Sequence, residues 1–239
     1  MSWAVSKWLQ VYLKCYVNVI LYYRNVYPKE AFDWTSFQAF NLPRHVPMNR
    51  HPGLQGYIET MVVDIISKLQ AVRHFNVRII QQDDGACIER YALDFGELRH
   101  DQVSDVKETD VFDELRSSLN SLISRLEKLP QIKPNTVAFD IVIDSVGLNL
   151  GRKMNRVQNL KERLAQEQDS NWVKCAEEPF ISSSQERSPR IKMITLTGCD
   201  AGPLVIYQFM EVLIDAEASF RIYETSSSYR SSEAEPLFP

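Results

Sequence analysis

Residues 3–28 read WAVSKWLQVYLKCYVNVILYYRNVYP. Apolar side chains recur in this stretch at three- and four-residue spacing, which is the period of an α-helix. They are Val5, Leu9, Tyr12, Tyr16, Val19, Tyr23 and Val26. From Cys15 to Tyr23 nearly every position is apolar, which is typical of a helix buried on all sides. The pattern predicts a central helix over residues 3–27, capped by Ser2 and ended by Pro28.

The next segment is divided by prolines. Residues 28–52 contain four of them, Pro28, Pro43, Pro47 and Pro52, so we expect a connector without a long regular element. A second helix is predicted over residues 53–70. One of its faces carries Tyr57, Met61, Ile65 and Leu69, and Ile58, Val62 and Ile66 lie beside them.

The period then changes from helical to alternating. Phe75, Val77 and Ile79 alternate with polar residues, and the alternation resumes at Cys87 and continues to Phe95. Asp83, Asp84 and Gly85 lie between the two runs. An Asp-Gly pair between alternating runs predicts a β-hairpin, and the two aspartates belong to its turn.

A third amphipathic segment follows, and then more strands. Residues 110–129 predict a helix that Thr109 or Asp110 caps and Pro130 closes, and residues 136–144 predict a strand. Residues 150–170 predict a short exposed helix, followed by a strand around Trp172, a flexible loop over 176–190 and a strand over 191–197. By periodicity alone, residues 204–214 fit either a helix or a strand. The Ser-rich acidic tail, residues 225–239, is predicted to be disordered.

Composition limits the possible classes of protein. The 239 residues carry a formal net charge of −4, with 44% hydrophobic and 24% charged residues, as in a soluble globular protein of about one domain. The acidic balance argues against a surface that binds nucleic acid throughout. No secretory signal is visible, and the apolar run Val11 to Tyr23 is too short and too polar for a bilayer span.

Patterns of catalysis and metal binding are missing from the sequence. It contains no phosphate-binding glycine loop, nucleophile elbow or zinc-protease helix. His45 and His51 lie near one another but lack the Cys or carboxylate pattern of a metal site. The four cysteines, Cys15, Cys87, Cys175 and Cys199, have no C-x-x-C spacing, so we expect reduced thiols. The basic stretch 152–163 is either a solvated helix face or a contact for DNA or an acidic partner.

Three short sequence motifs show a resemblance to a known family. Ile20-Leu-Tyr-Tyr-Arg-Asn-Val-Tyr-Pro28, Asn49-Arg-His-Pro52 and Ser170-Asn-Trp-Val-Lys174 resemble, in order and separation, the fungal form of the HORMA-domain accessory subunit of translesion DNA polymerase zeta. The resemblance covers roughly residues 3–214. It implies an α+β fold, in which three helices back a mainly antiparallel sheet and a mobile seat belt spans about residues 170–214. It also favours a strand over 204–214.

The resemblance implies positions for binding. Tyr57, Trp172 and Ile191 match the family's partner-peptide contacts, and Arg116 resembles an arginine through which family members dimerise. For Tyr57 and Trp172 the alternative is a core aromatic, and for Arg116 an ordinary exposed arginine. The Ile191 position can carry leucine in the family, so that contact is similar but not identical.

The implied function is that of a nuclear, non-catalytic adaptor without cofactor or metal. Its seat belt would hold an extended, proline-containing peptide from the catalytic subunit of polymerase zeta. Another surface could recruit the deoxycytidyl-transferase scaffold of lesion bypass, while any contact with DNA would be indirect and none with membranes is expected. The alternatives are a spindle-checkpoint or meiotic HORMA adaptor, an enzyme with an unrecognised site, and direct DNA binding through residues 152–163.

Overall fold

The computed structural model of the protein describes residues 3–35, 46–98, 107–146, 172, 190–200 and 202–214. Within them the helices are α1 (Trp3–Tyr23), α2 (Pro52–Ser67) and α3 (Glu108–Leu126). The strands are β1 (Phe32–Thr35), β2 (Val46–Asn49), β3 (Val72–Gln81), β4 (Cys87–Leu98), β5 (Val137–Ser145), β6 (Ile191–Asp200) and β7 (Leu204–Leu213). No helix in these ranges is long and apolar enough to cross a membrane.

Helix α1 is the centre of the core, as its apolar pattern predicts. Leu9, Leu13 and Ile20 are fully buried, because α2, α3 and β2 pack around this helix and Phe75 of β3 contacts it at Tyr16. The predicted end at residue 27 is wrong. The helix ends at Tyr23, and Asn25 adopts a left-handed backbone with φ of 52° that turns the chain before Pro28.

The two outer helices differ from prediction at their ends. His51 caps α2, since its Nδ1 accepts a hydrogen bond from the Leu54 amide at 3.4 Å, and Pro52 occupies the first helical position. The predicted caps of α3, Thr109 and Asp110, are wrong. Lys107 takes the capping position without a side-chain hydrogen bond, and the helix starts at Glu108.

The main sheet has the order β5-β3-β4-β7-β6, and each neighbouring pair is antiparallel. The predicted hairpin joins β3 to β4: Gly85 has a φ of 72°, and Asp84 accepts a hydrogen bond from the Ala86 amide at 2.9 Å. Residues 204–213, whose periodicity fits either a helix or a strand, form a strand. The sheet packs one face on the helices, so the expected α+β fold is confirmed.

The connection between the last two strands is shorter than predicted. Strand β6 continues through Gly198 to Asp200, with an irregular register between Leu196 and Cys199. A Cβ atom on Gly198 would lie 2.3 Å from the Ile206 carbonyl oxygen, so the close approach of β6 to β7 requires glycine there.

The proline-rich connector contains a small sheet that the sequence pattern did not predict. Strands β1 and β2 pair in antiparallel register, and Trp34 faces Pro47. Because a two-stranded sheet consists of two edges, it tolerates a proline that cannot donate a hydrogen bond.

Several predictions fall outside the described residues. They are the Ser2 cap, the helix over 150–170, the strand flanking Trp172, nearly all of the loop 176–190 and the tail 225–239. Of the belt region about 170–214, the structure describes Trp172, Arg190 and the strands β6 and β7.

Candidate functional site at the edge of the sheet

Strand β5 forms one edge of the sheet. It pairs with β3 on one side, and among the described residues no strand pairs with its other side. Its nine residues span about 27 Å and carry backbone groups that can pair with an added strand. Alternate side chains of this strand pack against the core and are only partly buried; they are Phe139, Ile141 and Ile143. This edge therefore offers an extended segment both hydrogen bonds and apolar contacts.

An aromatic pocket lies beside this edge. The centroid of the Phe139 ring lies 6.3 Å from that of Tyr57 on α2 and 6.2 Å from that of Tyr27. In both pairs the ring planes make an angle of 72°. Tyr57 is 47% exposed, on the side of α2 that faces this pocket. Two tilted tyrosine rings against one phenylalanine leave aromatic faces open to a visiting side chain.

The cavity at this pocket has a volume of about 540 Å³. Its lining includes Tyr27, Asn49, His51, Tyr57, Phe139 and Asp140. The pKa of Tyr57 is raised by burial and, to a lesser degree, by the neighbouring Asp140 carboxylate and Tyr27. The phenol therefore stays protonated at physiological pH and can donate a hydrogen bond to a ligand carbonyl.

Trp172 contacts helix α2, the helix that carries Tyr57. The indole Nε1 of Trp172 donates a hydrogen bond to the Asp64 carboxylate, and its ring packs on the core. Asp64 follows Tyr57 by seven residues, so both lie on the same side of α2, about 10 Å apart along its axis. The structure thus brings two of the predicted site residues to one side of one helix.

Ile191 is not placed with them. It begins β6, at the opposite edge from β5, and the two edges lie about 19 Å apart. Ile191 is 40% exposed, and Met193 and Tyr207 are exposed as well. All three occupy the sheet face that points away from the helices, because they are out of phase with the core-packed Ile194 and Met210. That Ile191 contacts the same peptide as Tyr57 stays a prediction.

Arg116 lies on the solvent side of α3. Its guanidinium pairs with Asp113 at 3.1 Å and lies 5.7 Å from the centroid of the Phe112 ring. Phe112 in turn packs edge-on against Trp8 of α1 at 5.4 Å. Arg116 is therefore held on a partly exposed aromatic platform, where a second protein surface can reach it.

The described histidines have structural partners. His51 caps α2, while Nδ1 of His74 lies 2.9 Å from Asp144 and its Nε2 lies 3.6 Å from Asp94. In the described part of the chain no group of three or more His, Cys, Asp or Glu residues is arranged to hold a metal ion. His45 and His100 lie outside the described residues.

Sequence reasoning missed four residues of the site. Tyr27 was assigned to the end of the first helix and Phe139 to one face of a predicted strand, while Asp64 and Asp140 were not singled out. Only Asp64 had a recognisable signature, because a carboxylate between Met61 and Ile65 interrupts an apolar helix face.

Comparison with known proteins identifies the family. The model of the HORMA domain matches residues 5–142, from α1 into β5. The chain belongs to the HORMA-domain family. It is 51% identical over 219 residues to the DNA polymerase zeta processivity subunit of Saccharomyces cerevisiae, covering 89% of each chain. The resemblance drawn from the three sequence words is therefore confirmed.

Solved HORMA structures share the fold at low identity. A chain of the mitotic checkpoint complex superposes with a TM-score of 0.63 at 16% identity, covering 87% of this chain and 98% of that one. The C. elegans protein HTP-2, bound to HTP-3 closure motif 1, gives a TM-score of 0.60 at 10% identity, covering 87% and 85%. At such identities the likeness concerns the HORMA fold alone.

Proposed function

We propose that this HORMA protein is a non-catalytic adaptor subunit of DNA polymerase zeta that acts in the nucleus during error-prone translesion synthesis. The observation that carries the proposal is the 51% identity to a polymerase zeta processivity subunit along most of both chains. The open edge of β5, with an aromatic pocket beside it, supplies a physical means of holding a partner.

The partner segment is an extended peptide of the polymerase's catalytic subunit. As an added strand it hydrogen-bonds to the free side of β5, while alternate side chains enter the groove towards α2. A proline of this peptide suits the pocket between Tyr27, Tyr57 and Phe139, because its ring packs on aromatic faces and its fixed φ favours an extended chain.

Trp172 supports closure of the seat belt over this peptide. It belongs to the segment that connects β5 to β6, and it is anchored on α2 on the same side as Tyr57. A peptide enclosed by this segment leaves only when the segment opens, so dissociation is slow.

Two further surfaces suit other contacts. Ile191 and Met193 lie two residues apart on β6 and are exposed on the far face of the sheet, so this surface fits recruitment of the deoxycytidyl-transferase scaffold better than it fits the peptide. Arg116, on its Phe112 platform, is the candidate for a homodimer contact within the complex.

The rival functions lack comparable support. The checkpoint and meiotic HORMA structures share the fold at 16% and 10% identity, against 51% for the polymerase subunit. The net charge of −4 favours indirect rather than direct contact with DNA.

Affinity capture from the source cells tests the proposal. Wild type, Tyr57→Ala, Trp172→Ala and Ile191→Asp are compared, with bound proteins identified by mass spectrometry. We expect the catalytic subunit with wild type and with Ile191→Asp, and its depletion with the other two variants, because aromatic contacts of this kind are worth about 2 kcal/mol or more.

The scaffold should show the reverse dependence, since its proposed contact includes Ile191. Glu59→Gln, an exposed change on α2, serves as the control. Capture of checkpoint or meiotic proteins in place of the polymerase would overturn the assignment, and full retention by both aromatic variants would overturn the site.

A further inference from the structure

Strand β6 forms the second edge of the main sheet. It pairs with β7 on one side, and no strand among the described residues pairs with its other side. The Ile214 amide donates to the Arg190 carbonyl at 2.8 Å, and this pair continues the β6–β7 register. In an antiparallel pair, hydrogen-bonded positions alternate with positions whose backbone groups face away from the partner strand. The backbone groups that point away from β7 are therefore those of Ile191, Met193 and Thr195.

Helix α3 covers only the second half of this edge. Ser121 Oγ accepts a hydrogen bond from the Thr197 amide at 3.0 Å, and Glu114 accepts one from the Asp200 amide at 3.2 Å. These two side chains satisfy outward-facing donors of β6 that an added strand would otherwise use. The open part of the edge is therefore Ile191–Thr195, which is about 17 Å long.

Basic side chains lie beside the open part of β6. Residue numbers rise along α3 as they fall along β6, so Arg125, one turn or about 6 Å beyond Ser121, lies level with Thr195. Lys128 follows on the same side of the helix, and Lys192 lies on the strand itself. Both lysines are exposed and have no ion-pair partner among the described residues. The open edge is therefore electropositive, although the whole chain is acidic.

Arg125 differs from the other shielded arginines of the chain. Its Nε is buried without a hydrogen-bond partner, and no ion pair joins it to a carboxylate in the described part of the chain. Arg24, Arg78 and Arg90, by contrast, each pair with a carboxylate. A lysine on an edge strand is a common protection against aggregation, but a desolvated guanidinium nitrogen without an acceptor does not serve that purpose. An incoming carboxylate would supply the missing acceptor.

We propose that the open part of β6 binds an extended, acidic segment of the deoxycytidyl-transferase scaffold as a sixth strand of the five-stranded sheet. The inference deepens the proposed contact of this surface with the scaffold and rests on it for the identity of the partner. The outward backbone groups of β6 pair with the segment, and a carboxylate of the segment bonds to the Arg125 guanidinium. Alternate apolar side chains of the segment cover Ile191 and Met193.

A second copy of this chain is a poorer occupant of the edge. Pairing of β6 with β6 would bring the basic side chains of both copies together, and like charges repel. The open length of about 17 Å is also short for the roughly 1,000 Å² that a stable interface buries. An added segment of a partner has neither difficulty. Because β5 lies about 19 Å away, at the opposite edge, both edges can be occupied at once.

The experiment measures peptide affinity for the full chain by fluorescence anisotropy. The probe is the tightest-binding fluorescein-labelled peptide from an overlapping set that covers the scaffold. It is compared with a counterpart in which every Asp and Glu is replaced by Asn and Gln, and with a series methylated at one backbone nitrogen at a time. An excess of unlabelled peptides from the catalytic subunit tests whether the probe binds at β5 instead.

The protein variants separate charge from backbone pairing. Arg125→Gln removes the guanidinium, and Lys133→Gln removes an exposed charge close to β5 as the matched control. Met193→Pro removes an outward N–H that the β6–β7 ladder does not use, a position where an edge strand tolerates proline. Met193→Ala keeps that N–H and is its control. Circular dichroism checks that each variant is folded.

Arg125→Gln and the amide counterpart of the probe should each weaken binding about tenfold or more, as expected for a hydrogen bond between charged groups. Lys133→Gln should bind like wild type, and Met193→Pro should lose more affinity than Met193→Ala. Methylation of the probe should weaken binding at every second residue, because alternate N–H groups of an added strand face the sheet. This last result depends on no protein variant and therefore on no change in folding.

Several results would overturn the proposal. They are equal binding of the acidic probe and its amide counterpart, methylation effects without a period of two, and displacement of the probe by catalytic-subunit peptides. A mass that doubles with concentration in wild type, but not in Met193→Pro, would assign the edge to a second copy. If no scaffold peptide binds while wild type still captures the whole scaffold, strand addition fails and recruitment stands. If the whole scaffold is not captured either, the proposed recruitment fails as well.

Discussion

The ion pair between Arg24 and Glu89 gives the sharpest test of what holds this fold together. Arg24 donates from Nε and Nη2 to the two carboxylate oxygens of Glu89, each at 2.7 Å, and from Nη1 to the Pro130 carbonyl at 3.0 Å. Tyr91 donates a third hydrogen bond to Glu89 at 2.8 Å. The two charged side chains are only 2% and 4% exposed, so water cannot replace a lost partner.

Glu89→Gln keeps the size of this side chain and removes its charge. The variant leaves Arg24 buried without a counter-charge and turns an amide NH2 group towards a guanidinium that can only donate. Breaking a buried pair from one side typically costs about 3–5 kcal/mol, a large part of a total stability of about 5–15 kcal/mol. The midpoint temperature of unfolding should fall by roughly 10 °C for a chain of this length.

Urea unfolding followed by circular dichroism measures the change. Glu59→Gln is the control, since its partner Lys14 and its exposed position make a pair worth under about 1 kcal/mol. A second variant, Arg24→Met with Glu89→Leu, removes both charges and should be less destabilised than Glu89→Gln. A loss below about 1 kcal/mol for Glu89→Gln would refute the view that this pair is desolvated and essential.

Two further predictions concern the thiols and α3. Burial raises the pKa values of Cys15 and Cys199 from 9.0 to about 12, so both thiols should resist alkylation at pH 8 until the chain unfolds, as peptide mapping would reveal. Labelling of either thiol in the native protein at pH 8 would contradict this. Because the native pKa values lie above the unfolded ones, the contribution of these thiols to the free energy of unfolding is complete below about pH 9 and should decline from pH 9 to 12. Arg116→Ala should lower the mass of any homodimer measured by light scattering over a concentration series, while Lys128→Ala, a change outside α3, should not; an unaltered mass at every concentration would remove the dimer role.

The local elements were accessible from sequence because their causes are local. The helical period of residues 3–23 and the alternation on either side of Asp84 and Gly85 both act over a few residues. The sequence motifs shared with the polymerase zeta accessory subunit also indicated the fold. The structure shows what the residues of one motif do. Arg24 and Asn25 lie in the first word and hold the end of α1 against β4 and the segment after α3.

The errors in element ends also have local causes. Periodicity detects the apolar face of a helix and not its cap, so α1 was extended past the left-handed turn at Asn25, and α3 was given a cap at Thr109 or Asp110. The small sheet of β1 and β2 was missed because prolines usually argue against strands.

The site depended on contacts between distant parts of the chain. No spacing in the sequence indicates that Phe139 lies between Tyr27 and Tyr57, that Trp172 bonds to Asp64, or that Ile191 lies at the opposite edge of the sheet. The sequence by itself determined the family, the helices, the hairpin and the presence of aromatic candidates, since these follow from local periodicity and shared motifs. Which candidates meet in one groove was decided only by the tertiary structure, because strand order and helix packing join residues about a hundred positions apart.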